Sequence, residues 1–235
     1  MSLDWSTIRT VLLDMDGTLL DLHYDNYFWL EHVPLRYAEY HGIEIEVART
    51  HLFDRFARHS GTLNWYCTDF WSSELALDIV QLKQEIAHLI AVRPDVPDFL
   101  NAVRGAGHRV VMVTNAHPDS LNLKMRETGL DAYFDALISS HQVGLPKEHP
   151  DFWQGLQNLE AFDAQHTLFV DDSLPVLRSA QRYGIAQLRA ICNPDSRQPH
   201  KDCGEFVGIS SFAEMMPGRG FRYHWRMTKR QVALL

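Results

Sequence analysis

The amino-acid sequence predicts an α/β fold, a Rossmann-like parallel sheet with an α-helical domain inserted after the first strand. Two observations predict it. Short apolar runs alternate with longer segments of helical periodicity, which is the order that a parallel sheet covered by helices requires. Between residues 22 and 92, by contrast, helical patterns follow one another with no strand pattern between them.

The first predicted strand contains Val11, Leu12 and Leu13, a continuous apolar run typical of a strand buried on both faces. Asp14 and Asp16 follow it, and residues two apart in an extended chain point to the same side. Two carboxylates ~5 Å apart repel by roughly 3 kcal/mol at an effective dielectric of ~20, so they share a proton or hold a cation between them. Magnesium suits such an all-oxygen site, although the pair taken alone also fits a solvated acidic turn.

The predicted insertion is rich in aromatic residues, because nearly half of the Phe, Trp and Tyr residues of the chain lie between 22 and 92. Most of these rings are expected in the core of the insertion, and the remainder can form a stacking wall for a flat ligand. The candidate substrate-binding residues lie in two polar-aromatic clusters, which pair ring faces with hydrogen-bonding edges: Asp25, Asn26 and Tyr27, and Asn64 and Trp65.

The alternating pattern resumes after residue 93, with glycine and proline residues marking where the elements begin and end. The sequence predicts, in order, a helix over 98–104, a strand over 109–113, a helix over 118–129, a strand over 134–139, a helix over 152–159, a strand over 167–170, a helix ending at 183 and a last strand over 185–191.

Groups that can carry out chemistry follow each of the first four predicted strands. Thr114 and Asn115 come after the second strand, Lys147 lies on the loop after the third, and Asp171 with Asp172 ends the fourth. The carboxyl ends of parallel strands lie along one edge of the sheet, so these residues and the first acid pair are expected to meet. Such convergence argues against a solvated turn.

Each of these groups has a task in phosphoryl transfer. One carboxylate can attack phosphorus and form an aspartyl-phosphate, and Asp16 can then protonate the leaving alcohol and later deprotonate water. Lys147 and Thr114 can hold the phosphoryl oxygens. A divalent cation bound by Asp14 and Asp172 would screen the nucleophile from an anionic substrate.

Composition restricts the remaining possibilities. The chain has 235 residues and a net charge of -8, so its surface should repel nucleic acid and anionic membranes. The reactive groups described above make a small-molecule phosphate ester the expected partner. No apolar run approaches the ~20 residues of a membrane span. Cys67, Cys192 and Cys203 match neither a disulfide framework nor a zinc spacing, and a reducing cytoplasm is the expected location. The 13 histidines show no ligand spacing, and His117 alone lies near the predicted site.

Four blocks of the sequence, DMDGT, VTNA, GLPKEHPDFW and FVDDS, resemble the four motifs of the haloacid dehalogenase (HAD) superfamily, and the insertion resembles its helical C1 cap. Further segments, among them DNYFW, TLNWYC, TNAHP and NPDS, resemble the bacterial GMP/IMP nucleotidases of that superfamily. The resemblance implies a HAD core over residues 1–20 and 94–216 and a cap over 21–93, which leaves a basic tail at 217–235.

The resemblance also implies roles for individual residues. Asp14 becomes the nucleophile, Asp16 the general acid/base, and Thr114 and Lys147 the groups that hold phosphate. Asp172 is expected to contact Mg²⁺ directly, with Asp171 acting through water and the backbone carbonyl of Asp16 as a further ligand. Asn115 is expected to help orient the phosphate.

The implied activity is a magnesium-dependent 5'-nucleotidase that converts IMP and GMP to nucleoside and phosphate. One alternative is a HAD phosphatase for a small sugar phosphate, such as phosphoglycolate or a hexose phosphate. A phosphomutase is disfavoured, because nothing in the sequence suggests how a phosphoaspartate would be protected from water. A non-catalytic HAD-like binding protein is disfavoured by the complete set of reactive residues.

Overall fold

The structure is a computed structural model, and it describes residues 3–218. Six strands form one parallel sheet in the order β3-β2-β1-β4-β5-β6, which confirms the predicted α/β fold. The strands are β1 (Thr10–Leu13), β2 (Arg109–Thr114), β3 (Ala136–Ser139), β4 (Thr167–Asp171), β5 (Gln187–Ile191) and β6 (Gly208–Ile209). β1 lies at the centre and is fully buried between β2 and β4.

The helices fall into two groups. The insertion contains α1 (His23–Tyr27), a π-helical turn (Phe28–His32), α2 (Val33–His41), α3 (Ile45–His59), α4 (Thr68–Leu75) and α5 (Ile79–Glu85). The helices that cover the sheet are α6 (Val96–Gly105), α7 (Pro118–Thr128), α8 (Ser140–Val143), α9 (Phe152–Leu159) and α10 (Leu174–Tyr183). None of the helices within residues 3–218 is both long enough and apolar enough to cross a bilayer.

Three hydrophobic clusters support this arrangement. One fills each face of the sheet, and the third lies within the insertion around Phe28, Trp71 and Ile79. The chain enters and leaves the insertion side by side, because Leu20 forms an antiparallel bridge with Val92. The domain limits at 20/21 and 93/94 stay predictions, and most of the predicted basic tail, residues 219–235, lies outside the described part of the chain.

The sheet has one strand more than the sequence predicts. The predicted last strand, β5, is followed by β6, whose two residues pair with Ala190 and Ile191. A strand of two residues is too short to produce an alternating pattern, so the sequence offered no sign of it.

The cysteine prediction was also wrong in part. Cys192 and Cys203 are joined as a disulfide, although scattered cysteines had predicted none. Cys192 lies just beyond β5 and Cys203 on the returning chain before β6, so the fold brings their Cα atoms to 5.8 Å. Cys67 is the free cysteine of the described residues.

Gly155 allows α9 to pack against α8 at close range. A Cβ atom added at this position would lie 2.6 Å from Cγ1 of Val143, a stiff β-branched side chain. We expect Gly155→Ala to lower the free energy of unfolding by about 1 kcal/mol, because overpacking outweighs the gain in helix propensity. Urea unfolding of the variant and the wild type measures this difference in the free energy of unfolding. In a Val143→Ala background, which removes the clashing methyl group, Gly155→Ala should become neutral or stabilising. Equal effects in the two backgrounds would contradict the steric explanation.

Candidate active site

The carboxyl edge of the sheet gathers the predicted reactive groups. Asp14 directly follows β1, and its backbone N–H donates to the carbonyl of Val170 at 3.0 Å, which ties it to β4. Thr114 and Asp171 are the last residues of β2 and β4, the two strands that flank β1. Lys147 reaches the same edge from the loop after α8. The parallel order of the strands therefore brings together residues that lie far apart in the sequence.

Lys147 is the central cation of this group. Its side chain is 2% exposed, and Nζ lies 2.6 Å from Oδ1 of Asp14 and 2.7 Å from Oδ2 of Asp171. Nζ also donates to the carbonyl of Val113 at 3.1 Å. Burial lowers the pKa of Lys147, but the two carboxylates outweigh burial and raise the pKa above its ordinary value. The lysine therefore stays charged and fixes the positions of both acids.

Three carboxylates form a group with metal-binding geometry. Asp14, Asp171 and Asp172 each place one oxygen within 4.8 Å of the others. Burial raises the pKa of Asp14 and of Asp171 to about 6, so crowded buried acids here would be stabilised by a cation. Gly17 makes this approach possible, since its φ is +80° and a Cβ atom would lie 2.9 Å from Cγ of Asp172. An all-oxygen, anionic donor set of this kind fits Mg²⁺.

Asp16 faces away from that group and toward a second buried lysine. Lys124, on α7, lies 2.6 Å from Oδ1 of Asp16 and 2.7 Å from Oδ2 of Asp25 on α1. Burial and then the charge of Asp25 raise the pKa of Asp16 to about 6, while Lys124 opposes them. A carboxyl group with a pKa near neutrality is suited to general acid and base catalysis. Lys124 is not among the residues that the sequence predicts for the site, and the available sign was a lysine beside Leu121 and Met125 on the buried stripe of α7.

We expect Lys124→Met to lower kcat by roughly 10-fold or more, because Asp16 loses the group that positions it for proton transfer. Steady-state kinetics with any phosphate ester that the enzyme turns over measures the effect. Lys124→Arg, which keeps the charge, should recover part of kcat. If the Lys124→Met enzyme has the circular dichroism spectrum of the wild type and an unchanged kcat, the contact between Lys124 and Asp16 has no catalytic role.

The side chain of Asn115 is committed to the loop of Lys147. Its Oδ1 accepts from the backbone N–H of Lys147 at 2.9 Å, and its Nδ2 donates to Oε2 of Glu148 at 2.9 Å. Thr114 accepts from the backbone N–H of Ala116 at 3.0 Å, which leaves its hydroxyl proton free to donate. Asn115 therefore positions Lys147, and orientation of phosphate by its side chain stays a prediction.

A cavity of about 470 Å³ extends from these residues into the insertion. Asp14, Asp16, Lys147 and Asp172 line one end, and Trp29, Phe53, Phe56 and Trp65 line the other. The rings of Trp29 and Trp65 are near-parallel, with centroids 5.6 Å apart. The cavity therefore has charged side chains, three acids and a buried lysine, at one end and aromatic rings at the other.

The predicted substrate-binding residues are placed unequally. Asp25, Asn26, Trp65 and Asn115 line the cavity, whereas Tyr27 and Asn64 do not. The ring of Tyr27 stacks on His32 within the insertion, and the carbonyl of Asn64 accepts from the N–H of Cys67 in a local turn. Substrate contact by Tyr27 and Asn64 stays a prediction, and in this structure both side chains lie outside the cavity lining. Asn26 donates to Oδ2 of Asp195 at 2.7 Å.

Comparison with known proteins adds a second line of evidence. A family model described as haloacid dehalogenase-like hydrolase matches residues 8–184. The GMP/IMP nucleotidase YrfG of Escherichia coli is 37% identical over 217 residues, which cover 92% of this chain and 98% of that protein. A phosphoglycolate phosphatase of Nitrosospira multiformis is 31% identical over 215 residues, which cover 84% of this chain and 88% of that protein.

A solved structure shares the fold. The crystal structure of a HAD phosphatase from Thermococcus onnurineus superposes with a TM-score of 0.73 at 24% identity and covers 88% of this chain and 95% of its own. At this level of identity the likeness concerns the fold alone.

Proposed function

The chain belongs to the haloacid dehalogenase-like hydrolase family, and from this we propose that it is a magnesium-dependent 5'-nucleotidase that hydrolyses IMP and GMP to nucleoside and phosphate. The similarity to GMP/IMP nucleotidase YrfG over 92% of the chain supports the substrate class. The single observation that carries the proposal is the cavity, which has buried acids and Lys147 at one end and an aromatic wall at the other.

The proposed first step takes place at Asp14. Its carboxylate attacks phosphorus, forms an O–P bond and displaces the 5'-oxygen of the nucleoside, and the carboxylic acid of Asp16 supplies the proton that this oxygen needs. Lys147 and the hydroxyl of Thr114 donate to the phosphoryl oxygens as charge spreads over them. In the second step water attacks phosphorus, Asp16 takes its proton, and the Asp14–phosphorus ester breaks to release phosphate.

Mg²⁺ would be held by Asp14 and Asp172, with Asp171 and the backbone carbonyl of Asp16 as further candidates. When bound, it would supply positive charge that lets an anionic nucleophile approach an anionic phosphate. Asp171 already pairs with Lys147 at 2.7 Å, which favours Asp172 as the more available carboxylate. Lys201 contacts the carbonyl of Asp172 and lies 3.1 Å from its Oδ2, so this acid has a partly exposed partner that an ion could displace.

The insertion is proposed to act as a cap over residues 21–93 that closes on a core of residues 1–20 and 94–216. The contact between Asp25 of the insertion and Lys124 of α7 ties the two parts together beside Asp16. Closure would exclude bulk water and stack the purine on the aromatic wall. The cytoplasm, where mononucleotides are made and used, is the proposed location.

A panel of phosphate esters tests the substrate class. We expect kcat/KM for IMP and GMP to exceed that for phosphoglycolate and glucose 6-phosphate at least tenfold at fixed Mg²⁺, and all turnover to cease with excess EDTA. Comparable kcat/KM for IMP and the sugar phosphates would favour the alternative of a sugar-phosphate phosphatase. The similarity to a phosphoglycolate phosphatase is the reason to test that alternative. Turnover of none of these esters would reject the hydrolase mechanism.

Trp65 provides a more specific test of base stacking. We expect Trp65→Ala to lower kcat/KM for IMP roughly 10-fold, since stacking of a base on an aromatic side chain contributes about 1–3 kcal/mol. Turnover of acetyl phosphate, which carries no ring, should fall much less. Tyr40→Ala, an exposed aromatic outside the cavity, is the matched control. Equal losses on the two substrates would mean that Trp65 supports the fold and does not hold the base.

A further inference from the structure

A second cluster of metal-ligating side chains lies where the insertion meets the sheet. Cys67, His117 and His141 each place one ligand atom within 4.8 Å of the others. Cys67 precedes α4 in the insertion, His117 precedes α7, and His141 lies on α8. None of the three belongs to the carboxylate group at the strand ends, so this cluster needs an explanation of its own.

The present contacts leave ligand atoms available. Nδ1 of His117 lies 2.7 Å from the hydroxyl of Thr68 and 3.3 Å from the carboxylate of Asp119. In the tautomer that carries the proton on Nδ1, this nitrogen donates to the hydroxyl of Thr68, and Nε2 is then available to an ion. Nε2 of His117 faces the carboxylate of Asp69 at 3.7 Å, and that acid is a candidate fourth ligand.

His141 supplies an independent observation. Its Nε2 is buried and has no hydrogen-bond partner within residues 3–218. Its ring meets that of His117 edge to face, with centroids 4.8 Å apart. An unpaired buried nitrogen is unfavourable, and a metal ion bound by His141 would give this nitrogen the partner that it lacks.

We propose that Cys67, His117 and His141 bind Zn²⁺, and that the ion links the helical insertion to the sheet. One thiolate and two imidazoles form a donor set that suits zinc and not magnesium. Zinc bonds of about 2.0–2.3 Å in a tetrahedron place ligand atoms about 3.5 Å apart, so modest side-chain rotations would close the cluster. The ligands come from three distant parts of the chain, which explains why no zinc spacing is visible in the sequence.

Cobalt(II) absorption tests the proposal on the full-length enzyme saturated with Mg²⁺. One equivalent of Co²⁺ should produce a thiolate-to-cobalt charge-transfer band in the near ultraviolet, and Zn²⁺ should abolish it by competition. Cys67 is the free thiol of the described residues, so Cys67→Ser should remove the band. His141→Ala should weaken Co²⁺ binding at least tenfold.

Two variants serve as controls. Asp172→Asn alters the acidic group and should keep the band, and His200→Ala, which changes an exposed histidine, should also keep it. Absence of the band in wild-type enzyme, or a band that survives Cys67→Ser, would overturn the proposal. The wild-type result is decisive even if a variant fails to fold. This inference does not rest on the nucleotidase activity, which could stand or fall separately.

Discussion

Asp14→Asn should abolish turnover, with kcat reduced at least about 10³-fold, because an amide cannot serve as the nucleophile that accepts the phosphoryl group. The substitution changes the volume of the side chain very little. Because burial raises the pKa of Asp14 to about 6, its ionised form at pH 7 is less favourable in the folded enzyme than in the unfolded chain. The neutral amide should therefore leave the melting temperature of the metal-free protein unchanged or higher.

Single-turnover quenching with a phosphate-labelled substrate completes this test. Wild-type enzyme should carry acid-stable, base-labile label on the peptide that contains Asp14, and the variant should carry none. Asp98→Asn, an exposed acid on α6, is the matched control and should behave like wild type. A variant at Asp14 that keeps even a tenth of wild-type kcat would reject covalent catalysis by this residue.

Lys147→Met should impair both catalysis and folding. The substitution leaves Asp14 and Asp171 buried without the cation that lies 2.6 and 2.7 Å from them. Removal of one partner from a buried ion pair typically costs about 3–5 kcal/mol. The free energy of unfolding measured in urea should therefore fall by a comparable amount. Loss of a donor to the phosphoryl oxygens should lower kcat by about 10²-fold or more.

Lys147→Arg separates the two effects. It retains the positive charge and should recover much of the stability, but its planar guanidinium cannot reproduce the contacts of a compact ammonium, so kcat should stay low. If Lys147→Met enzyme keeps the wild-type urea midpoint and kcat, Lys147 is neither the structural nor the catalytic centre of the site.

The sheet and the position of its reactive edge could be predicted because both follow from local patterns. Val11, Leu12 and Leu13 form a buried strand, and parallel strands place the residues that follow them at one edge. Asp14, Thr114 and Asp171 follow strand patterns in the sequence, which predicts their place at this edge. The structure adds the order of the strands, in which β2 and β4 are the neighbours of β1.

The side-chain network could not be predicted in the same way. Lys124 reaches Asp16 and Asp25 across the junction of α7 with the insertion, and that contact depends on how two separately patterned units pack. The helices of the insertion carry aromatic residues on several faces, so the pattern did not show which rings, such as Trp29, face the cavity. The pairing of Cys192 with Cys203 likewise depends on the chain turning back toward β5 before it forms β6. A strand of two residues leaves no pattern from which that turn could be predicted.

The most direct test of the central claim is a crystal structure of the enzyme with Mg²⁺ and beryllium trifluoride, which mimics a phosphoryl group on an aspartate. We predict beryllium bonded to a carboxylate oxygen of Asp14, Mg²⁺ about 2.0–2.1 Å from oxygens of Asp14 and Asp172, and Nζ of Lys147 in contact with a fluorine. Mg²⁺ bound away from Asp172, or beryllium trifluoride attached to any residue other than Asp14, would contradict the account.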